Sequence, residues 1–145
     1  MQNQKPSLFR VILVDYSSLL AALFPITFWI LTTYYFYTGD DGLQFFVLLS
    51  TGVTVLGIPY LFWRFHIISS VFEDGLEVQG TIMSVSFFRG RGRADYTYTH
   101  QGQKYISGNA ISRTKYTRTL QSGQQVTILV DRNTPKRAFV KEIYL

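Results

Sequence analysis

Cysteine is absent from the 145-residue chain, which excludes disulfides, zinc-thiolate centres and thiol nucleophiles. Histidine is nearly absent, with only His66 and His100. The acids of the C-terminal half, Glu77, Asp95, Asp131 and Glu142, are scattered without the spacing of a metal-ligand set. Asp95 and His100 could meet Ser107 or Ser112, but no turn in the pattern presents a serine as a nucleophile. The run Arg89-Gly90-Arg91-Gly92-Arg93 lacks the strand-to-helix setting and closing Lys-Ser/Thr that a nucleotide loop requires. The expectation is a non-enzymatic protein with no metal and no cofactor.

Charge is missing too, over two long stretches. Neither Tyr16–Gly39 nor Gly42–Trp63 contains an Asp, Glu, Lys or Arg. At about 1.5 Å per residue, each can cross a hydrocarbon layer of roughly 30 Å. A chain this short has too little other protein to cover two helices that are apolar all round. They read as a transmembrane hairpin over residues 16–65, with spans of about 16–38 and 43–65. The first run exceeds a signal-peptide core and no small-x-small cleavage site follows, so it reads as a retained anchor. Thr38-Gly39-Asp40-Asp41-Gly42 supplies the tight turn. Neither span carries an ionisable residue of the kind that marks an ion or proton path.

The flanks suggest an orientation. Lys5 and Arg10 precede the first span, Asp40 and Asp41 occupy the turn, and Arg64 and His66 follow the second. The positive-inside bias then predicts a multi-pass inner- or plasma-membrane protein with both termini cytoplasmic, residues 1–15 being a cytoplasmic segment. Tyr34, Tyr35, Phe36 and Tyr37 at one end, with Tyr60, Phe62, Trp63 and Phe65 at the other, read as interfacial belts. Ser18 and Ala22 on one helix, and Ser50, Thr54 and Gly57 on the other, permit close approach, either within the hairpin or between molecules. Pro25 and Pro59 each release a backbone carbonyl.

Residues 66–75 carry Ile67, Ile68, Val71 and Phe72 at helical spacing before Glu73-Asp74-Gly75. Two readings stand: a juxtamembrane helix along the inner surface ended by Gly75, or a linker packed on the next domain. From residue 76 the pattern alternates. Strands are predicted at 76–88, 94–100, 104–110, 124–130 and 138–144, forming a small five-stranded β-barrel-like domain over 76–145. The apolar phase slips near Gly80–Met83, which predicts a bulge. Ile111–Leu120 reads either as an edge strand or as an ordered loop.

Two apolar spans are followed by Gly80-x-Ile82, Tyr96-x-Tyr98, Gly102-x-x-Tyr105 and Gly123-x-x-Val126-x-Ile128-x-Val130-Asp131, with Pro135 close behind. This order resembles an uncharacterised bacterial family of small membrane-anchored β domains, a domain of unknown function that follows two transmembrane helices. The resemblance implies a tethered β module and no catalytic residues. Arg132 departs from the family, whose members often carry proline after the aspartate.

The basic surplus lies in this half: residues 75–145 hold eleven Lys and Arg against four Asp and Glu, while the whole chain is only +5. Arg89, Arg91 and Arg93 form one group, Arg113, Lys115 and Arg118 a second, and Lys136 with Arg137 a third. Anionic membrane lipid is the favoured partner, since each nearby cation gains about 1 kcal/mol within a Debye length. A membrane protein partner or a homo-oligomer comes next, because arginine and tyrosine are suitable anchors. Nucleic acid ranks last: Tyr96 and Tyr98 at period two are expected to form one packed sheet face rather than a base-stacking platform. His100 is expected at the surface beside a Gln-Gly turn. The function expected is binding or scaffolding, with an accessory subunit of a larger membrane complex as the alternative.

Overall fold

The computed structural model describes residues 5–39 and 41–145; Asp40, half of the acidic turn invoked above, and residues 1–4 lie outside the described residues. The chain opens on a short helix, α1 (Leu8–Val14), capped by the Ser7 hydroxyl, which accepts the Arg10 N–H at 3.1 Å. One extended residue, Asp15, ends α1 and caps α2 (Tyr16–Thr38), its carboxylate accepting the Ser18 N–H at 3.0 Å. After the turn, α3 runs unbroken from Leu43 to Asp74.

Helices α2 and α3 are both long and apolar enough to cross a membrane. Their outward faces have no protein cover: Leu48 and Leu56 are each 74% exposed, a burden in water that lipid removes. Between the helices, Thr32 and Ser50 share a 2.7 Å hydrogen bond, the Trp29 indole donates to Thr54 Oγ1 at 3.0 Å, and Tyr35 stacks on Phe46. A Cβ at Gly57 would lie 3.1 Å from the Ala21 carbonyl, the one that Pro25 leaves without its helical donor. The small-residue face therefore serves contact within the hairpin.

Beyond Arg64, α3 leaves the apolar stretch and packs on the β module. Ile68, Val71 and Phe72 are buried in its core, and Phe65 packs against it. The linker reading of 66–75 is the closer one, although the segment is helical. Gly75 ends α3 in an extended conformation, donating its N–H to the Val71 carbonyl at 2.9 Å.

The sheet comprises β1 (Leu76–Phe88), β2 (Arg91–His100), β3 (Gln103–Ser112), β4 (Gln125–Val130) and β5 (Ala138–Val140). Its order is β3-β2-β1-β4-β5 with antiparallel neighbours, and the register slips between Ile82 and Ser84, at the predicted bulge. Side chains draw the outer strands into a nearly closed barrel: the Tyr96 hydroxyl reaches the Ala138 carbonyl, and Ser107 Oγ donates to the Lys136 carbonyl at 3.0 Å.

Two details differ from the sequence pattern. The fifth strand stops at Val140 and becomes a helical turn, α4 (Lys141–Tyr144). Ile143 and Tyr144 are adjacent and both buried, which a strand of period two cannot arrange. Residues 113–120 form an ordered loop, not an edge strand. There Thr117 Oγ1 accepts the Thr114 N–H at 2.9 Å and donates to the Ser112 carbonyl at 2.6 Å.

The largest departure lies at the N-terminus. Val11 and Val14 are fully buried in the β-module core, and Asp15 forms an isolated bridge with Ile111. Residues 5–15 are part of the module, separated from the rest of it by the helical hairpin.

Tyr96 and Tyr98 line the inner sheet face as expected. Tyr96 lies 2.6 Å from Asn109 Oδ1 and also donates to Ala138. A phenol has one proton, so Asn109 Oδ1 and the Ala138 carbonyl share a single donor. The Tyr144 hydroxyl is equally buried and has no hydrogen-bond partner among the described residues. Removing an unpaired buried hydroxyl relieves its desolvation, whereas removing a paired one strands its partners. Tyr144→Phe is thus expected to be neutral or to stabilise by about 1 kcal/mol, and Tyr96→Phe to destabilise by about 1–2 kcal/mol. Thermal melts of the full chain in detergent check both signs.

Candidate functional site

All eight basic residues singled out above are exposed, but the fold groups them differently from the sequence. The β1–β2 connection is a two-residue turn in which Arg89 (φ 48) and Gly90 (φ 87) both adopt positive φ, the type I′ pattern that suits the twist of a hairpin. A second such turn, Gln101-Gly102, joins β2 to β3. Phe88 and Arg91 close the first hairpin as a facing pair, so both point to one side of the sheet with Arg93. The Arg89 and Arg91 guanidiniums lie 5.2 and 5.9 Å from the Phe88 ring.

The second group joins this tip. β2 pairs with β3 through Arg91↔Ser112, and the Arg113 N–H donates to the Gly90 carbonyl at 2.8 Å. The Arg113 guanidinium sits 6.0 Å from the Phe87 ring. Lys115 and Arg118 follow on the ordered loop, with Lys115 5.0 Å from the Tyr116 ring. Arg10, from α1, covers Tyr116 at 3.2 Å and donates to the Ile143 carbonyl, so this cation is used in holding the module together.

Arg93 is neutralised within the site by Asp95 at 2.7 Å. The third group stands apart: Arg137 pairs with Asp131 at 3.1 Å, beside Asp74 and Gly75 in a polar cleft of about 290 Å³. Asp131 is fully committed there, its other oxygen accepting the Asn133 and Thr134 N–H groups. Among the described residues no acid forms an ion pair with Arg89, Arg91, Arg113, Lys115 or Arg118.

Distance from the apolar helices separates these groups. Gly92 faces Ile111 across β2 and β3, and Ile111 bridges Asp15, the residue before α2. With strand neighbours about 5 Å apart and about 3.3 Å per residue, the Arg89-Gly90 tip lies within roughly 20 Å of the start of α2. The Asp131–Arg137 loop instead lies beside the end of α3, ten residues past Arg64 and so about 15 Å farther along that helix.

A junction that the sequence pattern did not reveal fixes this geometry. Asp15 is fully buried, and Arg64 Nη2 donates to its Oδ1 at 2.8 Å and Arg64 Nε to its Oδ2 at 3.3 Å. Ser17 and Ser18 hydroxyls complete the shell at 2.6 and 2.8 Å. Burial pushes the Asp15 carboxyl up, but the Arg64 and serine hydrogen bonds outweigh it and hold the group below the ordinary carboxylate range. The only available signal was a lone acid and a lone arginine at the ends of the apolar runs.

The groups considered for catalysis do not converge. Asp95 and His100 are five residues apart on β2 and so face opposite sides of the sheet. His100, expected at the surface, is buried with its ring beside Tyr105 because it shares the inward parity of Tyr96 and Tyr98. Burial, and then the neighbouring Tyr105, push the Tyr98 hydroxyl up to about 12. It is a neutral donor to the Pro135 carbonyl.

Residues 78–142 match the family model of DUF3592, a domain of unknown function. No curated protein and no solved structure matches the chain. The DUF3592 match begins two residues into β1 and ends within α4, taking in the basic tip, the ordered loop and the Asp131–Arg137 loop. It leaves out α1 and the end of α3, which complete the core of the β module here.

Proposed function

We propose that this is a multi-pass inner- or plasma-membrane protein, both termini cytoplasmic, whose DUF3592 module binds anionic lipid of the inner leaflet in a non-catalytic, scaffolding role. The observation that carries this reading is the gathering of Arg89, Arg91, Arg113 and Lys115, without acid partners, on the edge of the module close to the start of α2. At about 1 kcal/mol for each cation that comes within a Debye length of an anionic surface, these contribute at most about 4 kcal/mol. Lys136 and Arg137 stand farther off and contribute little beyond a Debye length of about 8–10 Å.

Hydrogen exchange of the full chain in nanodiscs tests this. Amides of residues 88–92 and 112–118 are expected to exchange more slowly in phosphatidylglycerol-rich than in neutral lipid, with the difference reduced at high salt as the electrostatic part is screened. Equal exchange in both lipids would sink the proposal. A reporter fused at Leu145 tests the orientation, and a periplasmic signal overturns it.

One observation favours a second reading, an accessory subunit. Past the bulge, residues 84–88 of β1 pair with β2 alone among the described residues, which leaves a strand edge there without a partner strand, next to the exposed Met83. Stoichiometric co-purification in mild detergent supports this reading, and a monodisperse lone chain counts against it.

A further inference from the structure

The hairpin tip carries more than charge. Phe88 is 60% exposed, although it stands on the β module and not on the apolar helices. Its neighbour Phe87 faces the other way and packs against the core, so the sheet had an inward place for one ring and left the second outside. Arg89 and Arg91 flank the exposed ring, and Arg89 holds a positive φ that Asn or Gly adopts at lower cost. An arginine kept at a strained turn position, beside an uncovered aromatic ring, on the module edge nearest the apolar helices, has the make-up of an interfacial anchor. There a ring sits at the headgroup boundary and guanidiniums meet phosphates.

We infer that the β1–β2 tip is a phospholipid-phosphate site with an inserted wedge. Arg89 and Arg91, joined by Arg113, bind headgroup phosphates, while Phe88 enters the boundary between headgroups and acyl chains. The inference rests on the lipid-contact reading above and goes beyond it. Surface attraction alone leaves Phe88 in water and disappears in salt; a wedge places the ring out of water and resists salt. Charge complementarity and continuity with the helices commit the site to lipid, since the tip lies within roughly 20 Å of the residue from which α2 departs. Arg93 is not part of it, being occupied by Asp95.

The cysteine-free chain allows a direct test. Ser86 is exposed and lies on the same sheet face as Phe88, so Ser86→Cys carries a single environment-sensitive fluorophore without altering the tip. In anionic nanodiscs its emission is expected to shift to the blue and to be quenched by shallow spin-labelled lipid, and to stay so at high salt. Phe88→Asp is expected to abolish both signals. Phe88→Ala is expected to reduce the inserted population about tenfold or more. Arg89→Asn, which suits the turn, should keep or slightly raise the melting temperature while weakening the preference for anionic over neutral lipid. That result separates binding from folding.

If anionic lipid slows exchange at the tip but the fluorophore stays in water, the wedge is wrong and surface attraction stands. If neither responds, both readings fall. Inorganic phosphate, added to the chain in detergent, is expected to leave the amides of Arg89–Arg91 unshifted. A saturable shift there would overturn lipid as the ligand.

Discussion

Expressed alone, residues 76–145 are expected to give no cooperative thermal transition, whereas residues 5–15 joined by a short Gly/Ser linker to 64–145 are expected to melt cooperatively. Val11, Val14, Ile68, Val71 and Phe72 are all buried in the β-module core and all lie outside the shorter fragment. At about 1.5–3 kcal/mol per buried apolar side chain, their loss removes about 10 kcal/mol, comparable with the whole stability of a small domain. The linker can be short because Asp15 and Arg64, at the two ends of the removed hairpin, touch at 2.8 Å. Near-ultraviolet circular dichroism during heating decides the matter. A cooperative transition of 76–145 at a similar temperature would show that α1 and the end of α3 are accessories. The expected outcome makes the helical hairpin an insertion into the β module, with the module holding both of its ends.

The second large effect belongs to that junction. Asp15→Ala is expected to cost about 3–5 kcal/mol, because it leaves the Arg64 charge without its partner and removes the cap of α2. Asp15→Asn combined with Arg64→Met keeps a capping side chain and removes both charges. The double variant is expected to lose clearly less than Asp15→Ala, since a buried pair replaced on both sides is often near neutral. Thermal melts of the full chain in detergent measure all three proteins. A double variant that loses as much as Asp15→Ala, or more, would show that the two groups do not act as a pair. The pH dependence has a definite sign. Folding lowers the Asp15 value below its usual 3.8, so its contribution is fully present above 3.8 and is lost as pH falls through the lower folded value. The gap between the wild-type chain and Asp15→Asn should therefore be constant near neutrality and shrink only in strong acid.

The strands were legible because each alternates over a half-buried surface. β1 came out at Leu76–Phe88 as predicted, with its bulge. The inward face of Tyr96 and Tyr98 was legible for the same reason, although the Gln-Gly turn beside it pointed to a surface position for His100, two residues further along that face. The end of the fifth strand was not legible, because Val140 to Tyr144 shows apolar residues without revealing that Ile143 and Tyr144 must both point inwards. The basic groups were visible as runs, but their regrouping into one tip and one remote pair depends on strand register.

The sequence by itself determined what local chemistry can determine. Two charge-free runs make helices suited to lipid, alternation makes a twisted sheet, and glycine turns make hairpins, because each of these depends on residues a few positions apart. Only the tertiary structure decided that α1 belongs to the module, that Asp15 meets Arg64, and that Arg113 joins the tip of β1 and β2. The barrel's inner face needed more apolar cover than its own strands supply, and the chain found it in segments on either side of the hairpin. A contact spanning the whole hairpin leaves no periodic trace in sequence, since it is set by which surfaces remain uncovered once the local elements have formed.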